Sequence, residues 1–525
     1  MMHSHRAATA WIAGTSLGLS LLLAAGAARA GSDPGSETET PATAESLEAR
    51  MSRLLEQNAR MQEEIQRLAN EMHALRGEAA AIGAAPATAA AEAPPVAAPP
   101  PVAAAPPVAD REALWSRRIG NASVNLVDVS LDVLSAVGTS TARDEEIELL
   151  QGGGHDPRQR GFTLQQAELS LMGAVDPYMN AEAHLIYFLD PEGESNFEIE
   201  EAFLQTIALP FGLDEQGFQV EAGHFFTEFG RINPKHPHAW DWQDQPFVLT
   251  RLFGADGMRA PGMRVGWLLP LPWFSELHAG VQNAKGETMT SFLANDEVFE
   301  ERAIGGRPFS DRGVHSLEDL VYLIRSTHGV DLSDEISAQL GGSLLLGPNS
   351  TGKDGNTQIY GADLVVKWRP LDAERGWPFV KVEGEWLFRR YQTDDFTGCF
   401  EEEEGCPEVF VPGRTLGDYG GYVQALWGFR RNFAAGLRYE YGSASGADVG
   451  FDDDTESVVR VSRNTDPFRG TRHRISPLIA FHPSEYARLR LQYNYDHQHF
   501  LAQDDQHSVW AGVEFMLGAH PAHSY

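Results

Sequence analysis

The chain has 525 residues and is strongly acidic, with 74 Asp and Glu against 41 Lys and Arg and a formal net charge of −33. That balance excludes general electrostatic docking to nucleic acid or to acidic lipid headgroups, and is compatible with the attraction of cations. Past the N-terminus no run reaches the ~18 apolar residues of a membrane-spanning helix, and two cysteines are too few for a cysteine zinc site.

The opening "MMHSHRAATAWIAGTSLGLSLLLAAGAARA" has a basic start, an apolar run and small residues at Ala28 and Ala30, the pattern of an export signal over 1–30. The next region, 31–77, carries a seam at Leu47, Met51, Leu54, Asn58, Met61, Ile65, Leu68, Met72 and Leu75. Spacings that alternate four and three make a short coiled coil, so a second helix should cover it, and Asn58 takes a register-fixing position. Residues 78–112 are Ala and Pro, as in "APPVAAPPPVAAAPPVAD", which cannot bury a core and forms an extended spacer.

From 113 to 518 the period changes to two. In "YARLRLQYNYD" the residues Ala487, Leu489, Leu491, Tyr493 and Tyr495 alternate with Arg488, Arg490, Gln492, Asn494 and Asp496. "FVKVEGEW" repeats the pattern with Val380, Val382 and Trp386 against Lys381, Glu383 and Glu385. Alternation alone fits a soluble sandwich as well as a membrane barrel, but link lengths separate them. Short links at 176–178, 270–273, 431–432 and 483–485 alternate with long ones near 139–161, 227–260, 285–316, 392–417 and 444–470. The alternation holds only if "LEDLVYLIRSTHG" is a strand that turns at "DLSDE". The expectation is an all-β transmembrane antiparallel barrel of about sixteen strands, with tight periplasmic turns and long external loops. Aromatic strand ends such as Tyr187, Phe188, Trp368, Trp386 and Tyr495 fit interfacial girdles.

Signal, coiled coil, spacer and barrel together resemble the phosphate-selective porin superfamily of the Gram-negative outer membrane, whose members are trimers. "FGRINPKHPHAWDWQDQP", "GADLVVKWRP" and the ending "GAHPAHSY" look like a subgroup described as zinc-regulated outer-membrane receptors or porins. The resemblance implies a homotrimer in the outer membrane that passes small solutes or ions, with its helix in the periplasm. Two departures stand out. Only five lysines occur, from Lys235 to Lys381, which argues against a lysine-lined phosphate path. A helix and a spacer stand where a receptor would carry a plug domain.

Several residue groups are candidate sites. By analogy with general porins, 227–260 is the third external loop and folds into the lumen as a constriction. There His236 and His238 project to one side, and with Asp241 they either bind zinc or a similar ion or stiffen a loop held by Pro234 and Pro237. His520 and His523, in the tail 519–525, are either a second metal pair or part of the signal read by the assembly machinery through Tyr525 or Phe515. By parity Glu182, His184, Asp363, Lys367, Lys381, Glu383, Glu385, Arg488 and Arg490 line the pore and set a transverse field. Cys399 and Cys406 flank "FEEEEG" and are expected as a loop disulfide in an oxidising compartment, with Glu401–Glu404 as a cation-concentrating cap.

No nucleophile elbow and no H-E-x-x-H motif occurs, so an enzyme is not expected. The reading is a passive outer-membrane diffusion channel. The alternatives are a protein that binds or takes up divalent metal, zinc first, and an envelope tether built on the coiled coil.

Overall fold

A computed structural model describes residues 116–119, 122–125, 127–398, 408–452, 457–461 and 466–518. The export signal, the coiled coil, the Ala/Pro spacer, Cys399, Cys406, the acid run between them and the tail with His520 and His523 lie outside the described residues.

Sixteen strands close into one barrel. They are β1 (Asp128–Ser140), β2 (Gly161–Ala174), β3 (Met179–Leu189), β4 (Ser195–Thr206), β5 (Phe218–Phe226), β6 (Arg259–Leu268), β7 (Phe274–Asn283) and β8 (Leu320–Ser333). The circuit continues through β9 (Ile336–Pro348), β10 (Asn356–Trp368), β11 (Phe379–Gln392), β12 (Thr415–Arg430), β13 (Phe433–Ser445), β14 (Arg472–Ser484), β15 (Ala487–Gln498) and β16 (Asp505–Gly518). Each strand pairs antiparallel with its sequence neighbour, and β16 returns to β1 with Ser508 opposite Ser140 and Gly518 opposite Ser130. Closure leaves no sheet edge, as a wall in lipid requires. A two-strand hairpin, Ser116–Ile119 with Ala122–Asn125, precedes β1.

The strands run from 9 residues in β5 to 16 in β12. Segment 317–333 folds as the sequence parity demands: β8 turns at 334–335 into β9, with Ser333 opposite Ile336. Links 141–160, 227–258, 284–319, 393–414 and 446–471 therefore share one rim, and 334–335, 431–432 and 485–486 share the other. Length does not sort every link, because 190–194 on the first rim is shorter than 207–217 on the second.

Alternation sets the two faces of the wall. Leu340, Leu364, Val382, Val423, Leu437, Ile479, Leu491 and Val513 are exposed on the outside. Aromatic rings mark both ends of this apolar band. Phe218 with Trp267, Trp427 with Phe429, and Phe433 with Phe481 lie toward the short-turn rim. Tyr360 with Phe388, and Tyr419 with Tyr441, lie toward the long-loop rim. Two aromatic girdles around an apolar belt are the signature of a barrel that sits in a bilayer. Phe188, expected in a girdle, instead meets His155 edge-on at 5.8 Å, because it alternates with the outward Tyr187.

Folded chain from the long links occupies part of the interior. Short helices α1 (Asp144–Leu150), α2 (Phe247–Phe253) and α3 (Asp296–Glu301) lie in the long links. Every residue of α2 is buried, and with Phe229, Ile232, Trp240, Met289 and Phe292 it packs on the inward Leu323, Leu345, Ile359 and Leu387. Glycines on the inner wall admit the largest rings. A Cβ on Gly361 would stand 2.6 Å from Phe229, and one on Gly436 would stand 2.9 Å from Trp242. Leu364→Arg, at the middle of the outward face, is expected to lower barrel stability by about 2–4 kcal/mol in urea unfolding from lipid, whereas Val365→Thr on the inner face should have a much smaller effect.

Candidate constriction and histidine site

The link 227–258 crosses the barrel interior and is tied to wall strands around the circuit. Arg231 donates to Glu383 on β11 at 3.1 Å and to Gln339 on β9 at 2.5 Å, and the Ile232 amide donates to Glu385 at 3.0 Å. Trp242 Nε1 donates to the Ser476 carbonyl on β14 at 3.0 Å. The Gln243 amide donates to Gln492 on β15 at 2.8 Å, its side chain donates to the Trp510 carbonyl on β16 at 2.9 Å, and its own carbonyl accepts from Gln165 on β2 at 3.0 Å. The Phe247 amide donates to Glu440 on β13 at 2.7 Å. A loop inside a barrel has backbone groups that neither a sheet nor bulk water satisfies, so inward polar side chains must do so.

Asp244 is the hub of this attachment. It accepts from Arg438, from Arg474 at 3.1 Å, and from Gln492 and Asn494 at 2.7 Å each. Burial disfavours its charge, but Arg438 and Arg474 outweigh that and hold the carboxyl below its ordinary value.

The second feature is a cluster of histidines and glutamates where the loop meets β2, β3 and β4. His236 Nδ1 lies 2.6 Å from Glu200, and its Nε2 lies 2.8 Å from Glu201. His238 Nδ1 stands 3.0 Å from Glu168 Oε2. From the wall, His184 Nδ1 stands 2.9 Å from Glu168 Oε1, and its Nε2 lies 3.0 Å from Glu182. The His184 and His236 ring centroids are 4.3 Å apart, and His236 stacks on His238 at 5.6 Å. On the loop, burial opposes a proton on His236, but Glu168 and Glu200 outweigh it and raise the imidazole well above its usual value.

Local backbone explains this convergence. Pro237–Ala239 form a short 3-10 turn, and the two rings stack and face the same wall. On β4, His184 pairs with Glu201 and Leu185 with Ile199, so Glu200 is the extra residue of a bulge and both glutamates turn inward. A second bulge at Gln165 turns Gln165 and Gln166 inward together. Bulges re-aim side chains in this way, and strict alternation would have sent Glu200 and Glu201 to opposite faces.

Asp241 is a correction to the expected ligand group. It pairs with Lys381 at 2.5 Å and is not among the carboxylates around the two histidines. Glu168 and Glu200, not singled out in the sequence, take that place. The other expected lining residues all stand on the inner wall, mostly in pairs. Asp363 meets Arg325 at 2.7 Å, Glu385 accepts from Tyr422 at 2.7 Å, and Arg490 meets Glu514 at 3.0 Å, beside Arg488. Glu182 holds His184, and Glu383 sits between Arg231 and Lys381. Lys367 borders an opening of about 580 Å³ with Asp331, Gln339 and Trp273. Arginines gather on β13 to β15 and glutamates on β2 to β5, so the lining is charged unevenly around the circuit.

Fold and lining define a closed transmembrane-type β-barrel whose lumen is crossed by one of its own loops. The chain is 27% identical over 435 residues to an uncharacterized protein of Aquifex aeolicus, covering 76% of this chain and 80% of that protein. No protein-family model matches. Among solved structures it is similar to the outer membrane channel DcaP of Acinetobacter baumannii, at 11% identity and TM-score 0.43 over 74% of this chain and 97% of that one. It is also similar to an anion-selective porin from Comamonas acidovorans, at 11% identity and TM-score 0.42 over 74% and 99% of the two chains.

Asp244→Ala leaves Arg438 and Arg474 buried without their shared partner, a change of about 3–5 kcal/mol. The expected outcome is a barrel that still closes, scored by its heat-dependent gel mobility, but that proteases now cut within 227–258.

Proposed function

We propose that the protein is an outer-membrane channel for passive diffusion of small solutes or ions, with the 227–258 loop as its constriction. The observation that carries this reading is the attachment of that loop to strands on most sides of the wall, through Arg231, Trp242, Gln243, Asp244 and Phe247. A segment held this way narrows the lumen to the gaps between fixed side chains, so passage is limited by size and by local field. The apolar outer belt and its two girdles support residence in a bilayer. The homotrimer expected from the porin resemblance belongs to the same reading.

Paired charges on the lining give the field its direction. Lys381 lies between Asp241 and Glu383, so with Arg231 and Lys235 it offsets an acidic stretch of the passage. Planar bilayers should show stepwise conductance for the purified protein. Lys381→Glu should shift the reversal potential toward cation preference, and Trp242→Ala should enlarge the steps by loosening the loop. Absence of steps from correctly folded protein ends the channel reading.

A further inference from the structure

We propose that Glu168, His184 and His236 form a binding site for one divalent transition-metal ion of the zinc class, which clamps the 227–258 loop to β2 and β3. The proposal stands on side-chain geometry and does not require the channel reading.

Three separate elements supply the donors, and one ligand atom from each lies within 4.8 Å of the others. The arrangement of the ring nitrogens points the same way. Each of two imidazoles has its Nε2 against a carboxylate of its own, Glu182 for His184 and Glu201 for His236. That contact orients the ring and leaves Nδ1 as the metal-facing donor, as in carboxylate–histidine–zinc triads. Both Nδ1 atoms face Glu168, at 2.9 Å from His184 and 3.6 Å from His236. His238 Nδ1, 3.0 Å from Glu168, and Glu200, 2.6 Å from His236 Nδ1, stand beside the group as further donors.

Zinc bonds of about 2.0–2.2 Å require donors roughly 3.3 Å apart, so closure needs side-chain shifts on the order of an ångström. Imidazole with carboxylate suits zinc, nickel or copper better than calcium or magnesium, which prefer all-oxygen shells. Charge balance agrees. Glu168, Glu182, Glu200 and Glu201 meet around His184, His236 and His238, with Arg259 and His155 beside Glu200 at 3.9 and 3.8 Å, and a dication offsets part of the remaining negative charge without a proton on every ring. Because His236 belongs to the loop while Glu168 and His184 belong to the wall, the ion would fix where the loop sits.

The test uses the folded full-length barrel in detergent at neutral pH, with Zn²⁺ followed by calorimetry and Co²⁺ followed by its visible absorption. One equivalent is expected, together with a cobalt band of mixed nitrogen and oxygen coordination. His184→Ala with His236→Ala should remove that equivalent. Glu182→Gln, which touches only the back of His184, should weaken binding by about 10–100-fold. Asp241→Asn and the pair His520→Ala with His523→Ala should leave it intact. Heat-dependent gel mobility confirms closure of each variant, and Glu168→Gln replaces the double variant if that one fails to close. No zinc heat in the wild type, or an equivalent retained when Glu168 or the two histidines are replaced in a closed barrel, overturns the proposal. The first result means that the imidazoles only ion-pair with the glutamates.

Discussion

Lipid outside the wall forces polar side chains inward, and most of those buried there then bond to the loop that crosses the barrel or to neighbouring strands. This constraint organises the molecule. The outer face is apolar because hydrocarbon surrounds it. The inner face therefore carries arginine, glutamate, glutamine and asparagine at alternate positions, too close together to remain unpaired at low cost. Loop 227–258 supplies the missing donors and acceptors. Its amides at Ile232, Gln243, Gln245 and Phe247 each end on a side chain outside the loop.

The ion pairs inside the barrel act on position more than on total stability. A buried pair gains little over well-packed apolar residues, but leaving one member alone is strongly unfavourable. Asp244 between Arg438 and Arg474, or Arg231 between Gln339 and Glu383, therefore allows few alternative seats for the loop. Apolar packing adds to this, since α2 inserts among Leu323, Leu345 and Leu387. The glycines opposite Phe229 and Trp242 fit the same picture, because a side chain there would push the loop off the wall.

Much of this architecture is legible in the sequence, for a physical reason. A wall with lipid on one face repeats strictly every two residues, and the rim parity of its links is fixed by strand count. The turn at 334–335 could thus be inferred from the need to keep the 393–414 link on the long-loop rim. What alternation misses is where the wall breaks its own rule. Glu200 enters the interior through a bulge, whereas strict alternation through "FEIEEAF" would turn one of its two adjacent glutamates outward. The adjacent acidic pair in an otherwise alternating strand was the available signal. Asp241 shows the opposite limit: near His236 and His238 in sequence, it is carried to Lys381 by the turn that begins at Pro237. Short sequence distance brought the two histidines together but did not choose their carboxylates.

The loop is bonded to the wall, and hydrogen exchange of the folded barrel in detergent reads that directly. Peptides covering 230–247 should exchange as slowly as the β11 and β15 strands that hold them. Exchange of those peptides at the rate of the exposed rim segment 369–378, with the barrel strands still protected, would contradict it.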